Sequence, residues 1–115
     1  MKRRFRLTRS NDIKRVRRFG KSYAHPLVVL IVDNTEDTTQ RIAVITGKSL
    51  GGAVTRNLIR RRLKAICGRF LPDMRCGFQA VLIGREPSQR ASYEELECAL
   101  LQMFRQAGLI IKTYG

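Results

Sequence analysis

The chain has 115 residues, with 23 Lys and Arg against 9 Asp and Glu, a formal net charge of +14 and a pI near 11.1. That length suits one domain, 1–115, while the charge opposes compaction and favours polyanionic partners, above all nucleic acid. No apolar run is long enough to span a membrane, and no hydrophobic stretch follows the arginine-rich start before Pro26, which excludes a secretory signal.

The positive charge is clustered. Ten of the 23 basic residues fall in Met1 to Lys21 beside Asp12 alone, and seven fall between Lys48 and Arg69 with no acid among them. Residues 1–9 read as a basic arm, followed by a short helix. Ser10 is placed to cap that helix, Ile13 and Val16 share one face, and Gly20 stops it. A short strand around Ser22 to Ala24 adds an edge. Leu27 to Val32 (LVVLIV) and Arg41 to Thr46 (RIAVIT) read as strands by β-branched content, and their polar connection predicts a hairpin.

A loop around Gly51 and Gly52 leads into a basic helix, the two together spanning 48–70. At about 100° per residue, Ile59, Leu63, Ile66 and Phe70 form the buried stripe, and Arg61 points the opposite way. Leu58 lies well off that stripe and is expected to be at least partly exposed. A passive surface helix usually carries acids at i±4, and this one carries none. Phe78 to Ile83 is a further strand. Ser92 with Glu95 makes a capping box, and Leu96, Ala99, Leu100, Met103, Phe104 and Ala107 then recur at helical spacing up to Gly108. Leu109 to Ile111 either add a terminal strand or pack as a tail. The sum is an α+β two-layer sandwich.

Cys67, Cys76 and Cys98 are odd in number and irregularly spaced, unlike a disulfide framework, and point to a cytoplasmic protein. All three are expected to be buried as small hydrophobes. With His25 the only histidine, no metal-ligand spacing exists and no metal site is expected. Gly47-Lys48-Ser49 lacks the earlier glycine of a phosphate-binding loop, with Ile42 in its place. Neither a histidine pair nor a carboxylate cluster supports protein-borne nuclease chemistry, so no catalytic residue is assigned. The residues by themselves describe a nucleic-acid-binding domain, held mainly by phosphate contacts, with no small-molecule substrate.

The stretch Lys48 to Leu63, KSLGGAVTRNLIRRRL, resembles the signature of the bacterial ribonuclease P protein component. Lys48, Gly51, Ala53, Val54, Arg56, Asn57, Arg60 and Arg61 carry the match. Leu7, Asp12, Gly20, Val81 to Arg85, Pro87 and Ser92 to Glu95 also fall where that family places them. The resemblance implies a ribosomal-protein-S5-domain-2-like sandwich, order α-β-β-β-α-β-α, with a left-handed β-α-β crossover. It implies the accessory subunit of an endoribonuclease, a ribonucleoprotein that removes the 5′ leader of precursor tRNA. In that family the RNA subunit performs the Mg2+-dependent hydrolysis, with the metal held mainly by RNA and substrate. The partners implied are ribonuclease P RNA and precursor tRNA.

By the same resemblance Lys48, Arg56, Asn57, Arg60, Arg61, Arg62 and Lys64 bind RNA, and Ile13, Arg17, Phe19, Leu30 and Arg85 line a cleft for the leader. Leu58 stands where the family often has arginine, and Ile13, Arg17 and Leu30 where it has aromatics. The alternative function is a structural RNA-binding protein of ribosomal type.

Overall fold

A computed structural model describes residues 1–111. Its elements are α1 (Ser10–Phe19), β1 (Lys21–Ala24), β2 (Val28–Asn34), β3 (Gln40–Thr46), α2 (Ala53–Phe70), β4 (Phe78–Gly84) and α3 (Tyr93–Gln106), with short 3-10 turns between some of them. The four strands make one sheet in the order β1-β2-β4-β3. Helices α2 and α3 cover one face and α1 the other. Leu30, Ile42, Ala80 and Leu82 point toward α2 and α3 and meet Ile59, Leu63, Ile66, Leu96, Leu100 and Phe104 in the main core. Ile31, Ala43 and Val81 point the other way and meet Val16 of α1 and Leu7 of the arm.

The β2–β3 hairpin expected from the sequence does not form. Strand β4 lies between the two, antiparallel to β2 (Leu30 opposite Leu82) and parallel to β3 (Ile42 opposite Ala80). Both β2 and β4 are apolar on both faces, so each is most stable with a neighbour on either side. The connection from β2 to β3 crosses the start of β4. Gly77 donates to the Thr39 carbonyl at 2.8 Å and accepts from the Thr35 N–H at 2.9 Å. A Cβ at Gly77, whose φ is +86°, would stand 3.0 Å from the Thr35 carbonyl oxygen. Asp37 holds the same turn by accepting from the Thr39 N–H and the Thr35 hydroxyl, and hydrogen bonding from the side chain and then the backbone of Thr39, with Thr35 behind them, lowers its carboxyl pKa to about 2. The true hairpin is β1–β2, which makes the predicted edge strand real.

The hand of the β3–α2–β4 crossover follows from one hydrogen bond. Ile42 faces α2, and its carbonyl accepts from the Leu7 N–H at 3.1 Å, at the outer edge of β3. In a strand running upward, an L-residue with its side chain toward the viewer turns its carbonyl to the right. Seen from the α2 side, the arm is therefore right of β3 and β4 is left of it. The crossover is left-handed, against the usual hand.

Several local expectations are met and others corrected. The buried stripes of α2 and α3 are those the spacing predicts. Leu109 and Ile110 are buried as a tail, with Gly108 in the left-handed region at the end of α3. Ser10 does not cap α1: Arg9 is the N-cap, without a side-chain bond, and Ser10 is the first helical residue. Only Cys67 is buried, its thiol pushed up to about 12 by desolvation, whereas Cys76 is exposed in the turn before β4 and Cys98 on the outer side of α3.

Gly20 is required by a close approach rather than by its dihedrals. An added Cβ would meet the Val16 carbonyl oxygen at 2.5 Å and Ile31 Cγ2 at 2.8 Å. Gly20→Ala should therefore destabilise the fold by about 1–3 kcal/mol, read as a lower urea midpoint with an unchanged m value. Ser92 accepts from the Glu95 N–H at 3.1 Å while the Glu95 carboxylate accepts from the Ser92 N–H at 3.0 Å. Those bonds lower the Glu95 pKa, so their stabilisation is present at neutral pH and is lost as pH falls through the lowered value. Ser92→Ala should cost about 1 kcal/mol at neutral pH and raise the Glu95 titration midpoint, followed by NMR.

Candidate nucleic-acid interface

Helix α1 lies across the sheet with Val16 fully buried against it. Ile13 and Phe19 are each three residues from Val16, so they flank it by about 60° on opposite sides. Ile13 lines a groove of about 220 Å³ together with Ala43 and Ile45, and Arg6 and Lys64 form its outer rim. On the Ile13 side, the sheet is left partly open. Val29, Ile83 and Ile45 pair across three strands in one row, all half-buried, and form an aliphatic floor. Arg17 is exposed one turn beyond Ile13 on that flank. Arg85, the residue after β4, is exposed at the same end, and its Nη1 donates to the His25 carbonyl at 3.2 Å.

Two residues assigned to this cleft belong elsewhere. Leu30 is completely buried on the opposite face, against α2 and α3. Its neighbours Val29 and Ile31 face α1, because side chains alternate along a strand. Phe19 is 69% exposed but on the far flank of α1, with the Arg18 guanidinium 5.3 Å from its ring centre. Ile13, Arg17 and Arg85 do come together around the floor. The floor residues Val29, Ile45 and Ile83 were missed. The sequence signal for them is the parity opposite to Leu30, but LVVLIV is apolar at both parities and does not say which face is which.

The second group gathers around α2. Lys48 is exposed in the 3-10 turn Lys48–Leu50, which is tied down by Gln89 Nε2 donating to the Ser49 carbonyl at 2.9 Å. Arg56, Arg60 and Lys64 recur at i, i+4 and i+8 and are half-buried along the outer edge of β3. Arg60 donates to the Asn57 amide oxygen. Arg56 Nε and the Thr46 hydroxyl oxygen are buried without a hydrogen-bond partner, and both residues line one small cleft with Asn57 and Arg60. Burial, and then the like charges of Arg6 and Arg60, lower the Lys64 pKa. Arg61 is exposed and Arg62 is half-buried on the α3 border. Arg69 is turned away into an ion pair with Glu97 at 2.5 Å.

The two groups share one rim, since Arg6 and Lys64 border both the α1 groove and the α2 strip. Among the described residues no group of three His, Cys, Asp or Glu could hold a metal ion. Among the same described residues, no helix is long and apolar enough to cross a membrane.

Both the sequence and the fold have relatives among known proteins. The sequence matches the Ribonuclease P family over residues 1–108. A ribonuclease P protein component from Clostridium botulinum is 31% identical over 105 residues, covering 90% of this chain and 95% of its own length. One from Herpetosiphon aurantiacus is 32% identical over 109 residues, covering 95% and 89%. Among solved structures, the Staphylococcus aureus RNase P protein superposes with a TM-score of 0.84 at 22% identity, over 92% of this chain and 97% of that one. The Thermotoga maritima RNase P protein gives 0.78 at 23%, over 88% and 96%. A family match spanning nearly the whole chain, two relatives above 30% identity and a shared fold lead to one assignment: the chain belongs to the bacterial ribonuclease P protein family.

Proposed function

We propose that the chain is the RNA-binding subunit of a cytoplasmic ribonuclease P ribonucleoprotein, which removes the 5′ leader of precursor tRNA. The observation that carries this reading is the shared cationic rim, which joins a strip for structured RNA to an open apolar floor. The strip, Lys48, Arg56, Asn57, Arg60, Arg61, Arg62 and Lys64, is the surface for ribonuclease P RNA. Crowded like charges around Lys64 and the unpartnered Arg56 Nε are both relieved by incoming phosphate oxygens. The floor of Val29, Ile45 and Ile83, edged by Ile13, Arg17 and Arg85, takes the single-stranded leader. The family role supplies hydrolysis through Mg2+ held by the RNA subunit and substrate. This chain binds and orients, and it contributes no catalytic residue.

Leader removal should be measured with protein alone, RNA alone and both together. Cleavage is expected from the RNA and from the combination, with the protein lowering the KM for precursor. Robust magnesium-dependent cleavage by RNA-free protein would overturn the accessory role. A purely structural RNA-binding protein would instead leave KM and rate unchanged. Arg61→Ala should leave the melting curve intact and reduce the salt slope of log K for ribonuclease P RNA by about 0.7 to 0.9. An unchanged slope removes Arg61 from the interface.

A further inference from the structure

The crest of α2 is not purely cationic. At about 100° per residue, Val54, Leu58, Arg61 and Ala65 share the outward sector, opposite the buried stripe of Ile59, Leu63 and Ile66. All four are exposed, Val54 by 85% and Leu58 by 40%. Apart from Arg61, the cations sit on the shoulders, with Arg60 and Lys64 to one side and Arg62 to the other. Val54 also forms a shallow depression of about 380 Å³ with Asn57, Arg60 and Arg61. A helix that read phosphates alone would fill the crest with cations, where they reach furthest, whereas here Arg61 shares it with three aliphatic residues.

We infer that this crest is a base-contacting surface, on which Val54 and Leu58 pack against the faces of unpaired RNA bases while the shoulder cations hold the flanking phosphates. The inference rests on the RNA-binding reading above and goes beyond it by assigning non-electrostatic contacts to two aliphatic residues. The occupant is fixed by charge and by chemistry. Lys48, Arg56, Arg60, Arg61, Arg62 and Lys64, with Arg69 set aside in its ion pair, favour a polyanion. Aliphatic groups between those cations require that the polyanion also offer apolar surface. Duplex RNA presents hydroxyls and phosphates across its shallow groove, and pressing valine and leucine onto them would desolvate polar groups without replacing their bonds. An unpaired base offers a flat face that needs no hydrogen bond. Asn57 stands at the border of the depression with an amide suited to a base edge.

The test compares the full chain with Val54→Ser/Leu58→Ser and with Arg61→Ala. The probes are ribonuclease P RNA, a short oligouridylate and an RNA duplex of the same length, each titrated over a salt series. The double variant should bind oligouridylate and ribonuclease P RNA about fivefold more weakly or worse, with unchanged salt slopes and unchanged duplex affinity. Arg61→Ala should instead reduce the slope on all three. Undiminished oligouridylate affinity, or equal losses on duplex and single strand, would overturn the inference. Should the double variant melt earlier, Val54→Ser alone carries the same comparison, because that side chain is almost wholly in solvent. If the parent chain prefers duplex to ribonuclease P RNA, the subunit reading fails, and the oligouridylate comparison still decides the crest.

Discussion

Strand β4 has a neighbour on each side and helices on both faces, and Val81 and Leu82, pointing oppositely, are both fully buried. Its backbone has no water to bond, so its ladders to β2 and β3 must be complete. This wedge dictates the rest. It separates β2 from β3, sends the chain back through α2, and fixes where that helix begins. Gly84 ends the strand where Leu50 Cδ1 would stand 3.2 Å from an added Cβ, and Leu63 Cδ1 3.6 Å. The loop before α2 is thereby clamped onto the end of β4. The open row of Val29, Ile83 and Ile45 lies at that same end. A cationic helix start and an apolar floor, far apart in sequence, become neighbours because one strand is inserted between two others.

The electrostatics are arranged with the same economy of place. The ion pairs Arg69–Glu97, Arg90–Glu86 and Arg15–Asp12 lie away from the shared rim. Lys64 instead sits among like charges, and burial first, then Arg6 and Arg60, lower its pKa. Such crowding opposes folding at low salt, and the main core offsets it, with about 1.5–3 kcal/mol for each fully buried large aliphatic. The surface is thus held in a state that an incoming polyanion relaxes. Local repulsion, rather than net charge alone, distinguishes this face from a merely solvated one.

Much of this was legible in the sequence, and the failures have physical causes. The α2 and α3 stripes follow from period 3.6 because each helix buries only one side. The capping box at Ser92 is a local bond between residues three apart, so it survives without tertiary knowledge. The hairpin failed because adjacency of strands is decided by long-range burial, and the polar 35–39 connection reads the same whether it turns tightly or steps over β4. Leu30 failed because a strand buried on both faces has no alternation to set its parity. Phe19 failed on rotation: six residues from Ile13 place it about 120° round the helix. The left-handed crossover is invisible to any local pattern, and only the Leu7–Ile42 bond makes it readable.

Removing Leu30 and Phe19 from the cleft changes its chemistry as well as its residue list. The floor that remains consists entirely of β-branched side chains, Val29, Ile45 and Ile83, which are stiff at χ1 and lie flat on the pleat. A stiff aliphatic floor loses little conformational entropy when covered, and it offers no donor or acceptor to a particular base. A single strand laid on it would be held through surface common to all four bases, with Arg17 and Arg85 fixing the backbone at the edges. Selectivity for sequence then has to come from elsewhere. The crest of α2 is a further apolar surface set among cations, and Asn57 beside it brings the amide that the floor lacks. In the proposed reading the floor would therefore accept any leader sequence, and base contacts made by α2 would fall on ribonuclease P RNA.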